Sequence, residues 1–338
     1  MPAGDPKYPD VSWRPSADLA ALRARAALLA HIRRFFETRN VLEVETPLLC
    51  SAGVTDPALE PFVVDDVSPI APAATPNLTA SDGLRYLQTS PEYAMKRLLA
   101  AGVGDCYQLG KAFRAGEVGR RHNPEYTLLE WYRLGFDHYQ LLRETAELVV
   151  SVLNRPSWQI WPWGALFQQF LQLDPYGASV ATLTEAASQA VGPLPDGLDR
   201  DGLLDLLMSH VIEPGISSWG VVFVLDYPAS QAALAKRIER GGISVGARFE
   251  CYVDGIEVAN GYWESADAED MRARFHEDNT IRTRRGLTPK PLDEHLLSAM
   301  SAGLPECAGV ALGVDRLLML QLGASALADT MSFDWSRS

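Results

Sequence analysis

Three stretches of the sequence combine arginine, histidine and glutamate in patterns that suit binding of a nucleotide and of an amine. The first runs from Cys106 to Tyr132 and reads CYQLGKAFRAGEVGRRHNPEYTLLEWY. Arg114 offers a planar fork of donors that matches phosphate oxygens, and His122 and Asn123 add ring and amide donors nearby. Glu130 lies in an otherwise apolar run, where a buried carboxylate needs a cation, a donor or water.

The second strand of this predicted hairpin has an aromatic and acidic face. Side chains of a strand alternate between its two sides. The positions that share one face are Tyr126, Leu128, Glu130 and Tyr132. A bound ammonium group would satisfy Glu130. The alternative is a core hairpin in which Glu130 pairs with Arg114 or Arg133, since ion pairs also perturb carboxylates in structural settings.

A second stretch, Arg248 to Glu264 (RFECYVDGIEVANGYWE), has Asp254-Gly255 between two strand-like runs, a strong signal for a two-residue hairpin turn. The register predicted from that turn pairs Glu250 with Ala259. It places Glu250 and Glu257 on one face, within about 7 Å of each other. Carboxylates that close repel unless a cation lies between them, and Mg²⁺ carrying nucleotide phosphates is the usual hard cation. The alternative is an exposed hairpin face where the two carboxylates repel weakly in water.

A third stretch, Cys307 to Gly323 (CAGVALGVDRLLMLQLG), predicts a short strand of small residues that leads into an amphipathic helix. Small residues let a ligand approach the backbone. Arg316 falls in the first turn of the helix, where the helix dipole disfavours a cation unless an anion such as a triphosphate is bound. An arginine that turns out into solvent is the alternative.

Together, the three stretches occur in the order and style of motifs 2 and 3 of class II aminoacyl-tRNA synthetases. Residues 19 to 51 resemble motif 1. The chain resembles lysyl-tRNA synthetase most, and within that group the shorter paralogues that act on elongation factor P. The resemblance spans about residues 13 to 333 and is carried by TSPEYAMKRLL, GRRHNPEYTLLEWYR, GIEVANGYWE and GVALGVDRLLML. It implies an α+β fold, with an antiparallel β-sheet flanked by helices, and a homodimer.

The resemblance also implies roles for individual residues. The catalytic residues would be Arg114, Arg316 and Glu257, and the Mg²⁺ ligands would be Glu250 and Glu257. The ATP site would contain Arg114, Ala115, Gly116, Glu117, His122, Asn123, Tyr126, Glu257, Val258, Gly313 and Arg316. The amino-acid site would contain Ser90, Pro91, Glu92, Glu130, Tyr132, Asn260, Glu264 and Ala311. Tyr126 would stack on adenine, and Arg114 would stabilise the negative charge that develops as pyrophosphate leaves.

The implied reaction is ATP-dependent activation of (R)-β-lysine or lysine as an adenylate, followed by transfer to a lysine side chain of elongation factor P. Positioning and charge neutralisation would do most of the catalysis. Two alternatives stay open: a tRNA-acylating or amidating ligase on the same scaffold, and a non-catalytic regulatory paralogue. The presence of the phosphate arginines and of both metal carboxylates argues against the second alternative.

Two positions depart from the lysyl-tRNA synthetase pattern. The run Phe113 to Glu117 reads FRAGE where that pattern reads FRNE, which displaces the acid by one residue. Either Glu117 reaches back, or Gly116 leaves that contact to the backbone. Ala311 stands where lysyl-tRNA synthetases have glycine. Its methyl group would crowd the α-amino group of lysine and favour an amine on the β carbon, by ~1 to 3 kcal/mol.

Length and composition predict one catalytic domain over residues 1–338, with 47% hydrophobic residues to form its core. The first 18 residues are too short and proline-rich to fold alone, so we expect no anticodon-binding domain and no tRNA substrate. The net charge of −13 is unlike the basic surface typical of nucleic-acid-binding proteins. The sequence lacks a membrane-length apolar run, a signal sequence and a CxxC pair, which predicts a cytoplasmic enzyme.

Three segments lie outside the motifs. Residues 66 to 83 are rich in Pro, Ala, Ser and Thr and predict a mobile loop. Residues 137 to 213 alternate helical patterns with turn residues and predict a helical insertion between motifs 2 and 3. Residues 266 to 285 carry mixed charges on a helical pattern, which is typical of a solvated helix face.

Overall fold

A computed structural model describes residues 13–65, 83–195 and 197–338. Apart from Gly83, the loop predicted at residues 66 to 83 lies outside the described residues. Within the described ranges, no helix is long and apolar enough to cross a membrane.

The chain alternates short strands and helices, as the motifs predict. The strands are β1 (Leu42–Glu43), β2 (Leu49–Cys50), β3 (Val63–Asp65), β4 (Leu84–Leu87), β5 (Cys106–Phe113), β6 (Glu125–Leu134), β7 (Trp158–Pro162), β8 (Val221–Pro228), β9 (Arg237–Arg240), β10 (Ile243–Val253), β11 (Ile256–Trp263) and β12 (Cys307–Gly313). The helices are α1 (Leu19–Glu37), α2 (Glu92–Ala100), α3 (His138–Leu153), α4 (Trp163–Leu171), α5 (Val180–Val191), α6 (Arg200–Leu207), α7 (Glu213–Gly215), α8 (Ala268–Arg284), α9 (Glu294–Gly303) and α10 (Val314–Leu322). A π-helical turn (Met208–Ile212) joins α6 to α7, and short 3₁₀ turns span Ala229–Gln231 and Leu327–Thr330.

The main sheet brings the three motif stretches together. Its order is β1-β5-β6-β12-β11-β10-β8-β7, with β9 paired to β10, while β2, β4 and β3 form a separate small sheet. The hairpin β5-β6 and the hairpin β10-β11 are joined by β12, which is antiparallel to β6 and to β11. The centre of the sheet is antiparallel, and the edge pairs β1-β5 and β7-β8 are parallel. The predicted α+β fold class is confirmed.

The second hairpin contains an irregularity that alternation cannot reveal. Asp254 and Gly255 both have positive φ, at 51° and 75°, as a tight two-residue turn requires. Glu250 pairs with Asn260, and the predicted pairing with Ala259 is wrong. Val258 is an extra residue on β11, so the register shifts by one beyond the turn.

Different helices pack on the two faces of the main sheet. One face packs on α1, α3 and α10 in the largest apolar cluster. On the other face, α4 to α6 pack against the β8 end of the sheet, and α2, α8 and α9 pack near β6. The middle of this second face, between those two groups of helices, carries the predicted site residues.

Two predictions about helical segments need amendment. The region between β6 and β8 holds α3 to α7, but it also contributes β7, which the helical pattern did not indicate. Helix α8 forms where mixed charges predicted a solvated helix, yet Arg282 on it is fully buried. Its guanidinium donates to the carbonyl oxygens of Thr288 and Asp56 and pairs with Glu60, so burial is offset by a full set of acceptors.

Candidate active site

The carboxylate of Glu130 lies in the middle of the open face and is only 3% exposed. It accepts hydrogen bonds from Ser90 Oγ and from the Tyr132 hydroxyl, both at 2.8 Å. Arg114 and Arg133 pair with other carboxylates, so the alternative of a structural ion pair for Glu130 is wrong. Burial, and then the nearby charge of another glutamate, raises the pKa of Glu130 to about 8.

The loop before α2 holds Ser90 against the sheet. Ser90 Oγ accepts the backbone N–H of Glu92 at 3.0 Å while it donates to Glu130. Pro91 precedes the first turn of α2 and leaves Glu92 in that turn. The three predicted residues Ser90, Pro91 and Glu92 therefore meet Glu130 at one place.

A lysine that the sequence analysis did not assign lies beneath this loop. Lys96 is 1% exposed. Its Nζ lies 2.6 Å from Glu92 Oε1 and 2.7 Å from Glu264 Oε2. Burial raises the pKa of Glu264 to about 7, although Lys96 acts to lower it. The spacing of Glu92 and Lys96 predicts a helix-surface pair, but no local pattern reveals that the lysine is buried or that it reaches β11.

Strand β12 forms the floor between these acids. Ala311 pairs with Glu130 on β6 and with Asn260 on β11, so the three side chains share a face. Gly309 lies two residues earlier. A Cβ atom at Gly309 would lie 2.2 Å from Tyr132 Cε1 and 2.6 Å from Glu264 Oε1. Only glycine leaves room there for the Tyr132 ring and the Glu264 carboxylate.

The nucleotide side of the site is built around Arg114. Its guanidinium lies 5.3 Å from the centre of the Tyr126 ring, and the Tyr126 hydroxyl donates to the Thr89 carbonyl oxygen at 2.8 Å. Among the described atoms, Arg114 Nε is buried without a hydrogen-bond partner. An unpaired buried donor beside an aromatic ring fits an anionic nucleotide, because its desolvation is otherwise uncompensated.

The displaced acid of the FRAGE run lies close to that arginine. Glu117 Oε1 is 3.7 Å from Arg114 Nη1. Between them Gly116 has a φ of +82°, in the left-handed region, and the Ala115 N–H donates to the Glu60 carbonyl oxygen at 2.7 Å. The left-handed turn at Gly116 is what lets the chain direct Glu117 back toward Arg114.

Arg316 joins motif 3 to the motif 2 loop. Its Nη1 donates to the Glu257 carbonyl oxygen at 2.9 Å, and its Nη2 lies 2.7 Å from His122 Nε2. Burial and then Arg316 lower the pKa of His122, so its neutral ring accepts this hydrogen bond. The alternative of an arginine turned into solvent is wrong. Gly313 is the N-cap of α10, three residues before Arg316.

The two predicted metal carboxylates have unequal surroundings. Glu250 accepts the hydroxyls of Tyr227 at 2.6 Å and Tyr252 at 2.5 Å, and it pairs with Arg248. Glu257 keeps 39% of its side chain exposed and lies 3.5 Å from Arg316. Burial and then Glu250 raise the pKa of Glu257, an effect that water screens at this exposure.

These carboxylates fit a Mg²⁺ ion only if substrate phosphates supply some of its ligands. In the described part of the chain, no group of three or more His, Cys, Asp or Glu side chains forms a metal cluster. Mg²⁺ is commonly held by one or two carboxylates together with substrate phosphates and water. Glu257, which has exposed surface, can provide such a ligand, whereas Glu250 already has three partners.

Two predicted ATP residues have other contacts. The side-chain amide of Asn123 donates to the Glu125 carbonyl oxygen at 2.6 Å and accepts the Trp335 N–H at 2.9 Å. It thus fastens the motif 2 turn to the C-terminal segment. Val258 is 2% exposed and packs into the apolar core, so it can offer a nucleotide only its backbone.

The site elements lie within a recognisable family pattern. The family model for class II tRNA synthetases (D, K and N) matches residues 5–336. The chain belongs to this family. Relatives named elongation factor P--(R)-beta-lysine ligase, from Salmonella paratyphi B and Salmonella typhimurium, are each 47% identical to it over 330 residues. The match covers 97% of this chain and 98% of each relative.

Family membership confirms the resemblance inferred from the motifs. The synthetase match includes every predicted site residue, since these residues run from Ser90 to Arg316. The roles of the individual residues stay predictions, and the geometry adds Lys96, Arg248 and Gly309 to them.

Proposed function

We propose that this synthetase-family protein is an AMP-forming ligase that activates (R)-β-lysine, or lysine, with ATP and transfers it to a lysine side chain of elongation factor P. The names of its relatives support the acceptor and the β-amino acid. The observation that carries the proposal is the charge of the pocket. Glu92 and Glu264 contact a buried lysine there, Lys96, and Ser90 links Glu130 to the start of the same helix.

The carboxylates of this pocket are not fully compensated by the positive charge of Lys96. Two of its carboxylates, Glu130 and Glu264, are buried with pKa values raised to about 8 and about 7. A buried acid has a raised pKa when cations do not compensate its desolvation. Both lysine isomers carry two ammonium groups, and these would restore the balance.

The proposed first step forms an adenylate. A carboxylate oxygen of the amino acid attacks the α-phosphorus of ATP, and the bond to the leaving pyrophosphate breaks in line. Arg114 would stabilise charge on the α-phosphate, and Arg316 would face the rest of the triphosphate. Mg²⁺, held at Glu257 with the phosphates, would neutralise and orient them.

The proposed second step is aminolysis. The neutral amine of an elongation factor P lysine attacks the acyl carbon, an amide bond forms, and AMP leaves with the bonding electron pair. The acidic pocket would keep the amines of the activated amino acid protonated, so they would not compete as nucleophiles.

We also propose that the enzyme is a homodimer. Apolar side chains in and near the predicted motif 1 are exposed over 38% to 54% of their surface, namely Leu42, Leu48, Leu49, Val63 and Val64. Leu49 and Val63 lie on strands of the same small sheet. Exposed apolar residues that lie together are typical of a protein interface. Sedimentation equilibrium should give twice the 37.0 kDa chain mass, and a single 37.0 kDa species would contradict the dimer.

A cytoplasmic location is consistent with the cysteines. All four lie in the described residues, and each is a free thiol there. Unpaired cysteines fit a reducing compartment.

Pyrophosphate exchange tests the activation step without any acceptor. The protein should incorporate labelled pyrophosphate into ATP when Mg²⁺ and (R)-β-lysine or lysine are present. Norleucine, which lacks the side-chain ammonium, should give no exchange above background. Exchange that is equal with norleucine, or absent with both lysine isomers, would contradict the proposal.

A further inference from the structure

Lys96 connects two elements that carry predicted substrate residues. It extends from α2, which begins with Glu92, to Glu264 at the end of β11. Both ion pairs are short, at 2.6 and 2.7 Å, and Lys96 is 1% exposed. Burying a lysine costs several kcal/mol before pairing, so a purely structural role would be served as well by an apolar side chain.

Lys96 Nζ makes one short contact with each of the two carboxylates. The paired atoms are Glu92 Oε1 and Glu264 Oε2. The other oxygen of Glu264, Oε1, lies against Gly309, 2.6 Å from where a Cβ atom would lie there. The Tyr132 ring fills the rest of that space. Lys96 and the backbone of β12 therefore hold the Glu264 carboxylate from two sides.

We propose that Lys96 is a positioning residue that orients the Glu92 and Glu264 carboxylates to receive the ammonium groups of the substrate and supplies the positive charge that offsets theirs. The inference rests on the proposed amino-acid activation and assigns the amine specificity of that site to an internal cation. Burial alone would lower the pKa of Lys96, but Glu264 and then Glu92 raise it, so the lysine is charged throughout the working range of pH.

The charge around Glu264 explains why the lysine is needed. Glu92 on α2 is a like charge that faces Glu264. Tyr132 on β6, Tyr262 on β11 and Cys307 on β12 also face it, and all three are neutral near pH 7. Among these described neighbours, Lys96 is the one cation. Without it, the pKa of Glu264 would rise above its value of about 7, and more of the carboxyl group would be protonated and unable to attract an ammonium at neutral pH.

The variant Lys96→Met tests this in pyrophosphate exchange with lysine and with (R)-β-lysine. The KM for either isomer should rise about fivefold or more at pH 7 relative to the wild type and return toward the wild-type value as the pH is raised to about 9, since a rise in the pKa of Glu264 from about 7 to about 8 lowers its ionised fraction at pH 7 about fivefold. The KM for ATP should stay within about twofold. Lys96→Arg keeps the charge and should keep the pH profile of the wild type.

Lys111→Met is the matched control. Lys111 also belongs to an ion pair, with Glu125 at 3.3 Å, but its side chain is 41% exposed. This variant should leave both KM values and their pH dependence unchanged. If Lys96→Met does not fold, the double variant with Glu92→Gln removes one of the uncompensated charges and is compared with Glu92→Gln alone. Its KM should exceed that of Glu92→Gln at pH 7 and approach it by pH 9, because Glu264 remains without a cation.

An amino-acid KM that matches the wild type from pH 7 to pH 9 in Lys96→Met, or that matches Glu92→Gln alone in the double variant, would overturn the role of Lys96. A uniform fall in kcat with no change in pH profile would also overturn it, because that is the effect of a purely structural residue. If the wild type itself exchanges with neither lysine isomer, the proposed activation fails first and the inference fails with it.

Discussion

Ala311 is the direct cross-strand partner of Glu130, so its methyl group lies beside the carboxylate at the centre of the amine pocket. Asn260 pairs with Ala311 from the other side. A methyl group between two polar side chains limits where an amine can sit, and the limit depends on the carbon that bears the amine.

Ala311→Gly should therefore change the preference between the lysine isomers. Removing the methyl group frees space for an α-amino group, so kcat/KM for lysine should rise relative to (R)-β-lysine by about tenfold to 200-fold. Pyrophosphate exchange with each isomer measures this ratio. Ala308→Gly on the same strand, whose side chain is buried in the apolar core on the opposite face, is the control and should leave the ratio unchanged. An unchanged ratio in Ala311→Gly would remove Ala311 from the account of specificity.

Arg114→Ala should abolish most adenylate formation. The guanidinium has an unpaired buried Nε beside the Tyr126 ring, where an α-phosphate would accept it. Loss of one such donor lowers kcat by about 10² to 10³-fold. Arg33→Ala, which removes a 50% exposed arginine from α1, should retain full exchange. Activity within a few fold of the wild type in Arg114→Ala would contradict the assignment.

Gly116→Ala should raise the KM for ATP. The residue has a φ of +82°, which costs an alanine ~1 to 2 kcal/mol, and a relaxed turn would move Glu117 away from Arg114. Gly135→Ala carries a similar backbone cost, because Gly135 has a φ of 71° and also has no neighbour within 4 Å of the added Cβ. Both variants should lose a similar free energy of unfolding, measured by urea denaturation, but only Gly116→Ala should lose ATP affinity. Equal ATP kinetics in the two variants would show that the turn has no part in nucleotide binding.

His138 should make the free energy of unfolding sensitive to mild acid. The ring is 1% exposed, and burial lowers its pKa from 6.5 to about 4. Between pH 6.5 and about pH 4, the unfolded chain therefore binds a proton at this histidine that the folded chain does not bind. This stabilising contribution is complete above about pH 6.5 and is lost as the pH falls toward 4.

His138→Phe should remove that dependence. Phenylalanine keeps the ring contacts with Tyr139 and Trp263, and both ring nitrogens of His138 lack a partner among the described residues. From pH 7.5 to pH 5, the wild type should lose about 2 kcal/mol more of its free energy of unfolding than the variant does. Parallel pH profiles for the two proteins in urea denaturation would contradict a buried neutral histidine.

Much of the site was predictable because its features are local. The Asp254-Gly255 turn, the alternation around Glu130 and the small residues of β12 each predict an element and the face of its side chains. The motif resemblance then indicated the family, which the synthetase match confirms.

The remaining features depend on contacts between distant parts of the chain. The extra residue at Val258 leaves no mark in an alternating pattern, so the pairing of Glu250 was predicted one residue off. Lys96 looks like any helix-surface lysine until β11 brings Glu264 to it. Arg248, in contrast, contacts Glu250 on its own strand and Asn260 on the adjoining strand of the hairpin, which strand alternation could have indicated. Periodicity indicates which face a side chain occupies, but it does not indicate what meets that face.

The most direct test of the proposed function is intact-mass analysis of elongation factor P after incubation with this protein, ATP, Mg²⁺ and either lysine isomer, with a parallel tRNA acylation reaction. The account predicts that elongation factor P gains one lysyl unit, that more of it is modified with (R)-β-lysine, and that tRNA stays uncharged. Charged tRNA beside unmodified elongation factor P would contradict the proposed acceptor while leaving the adenylate chemistry intact.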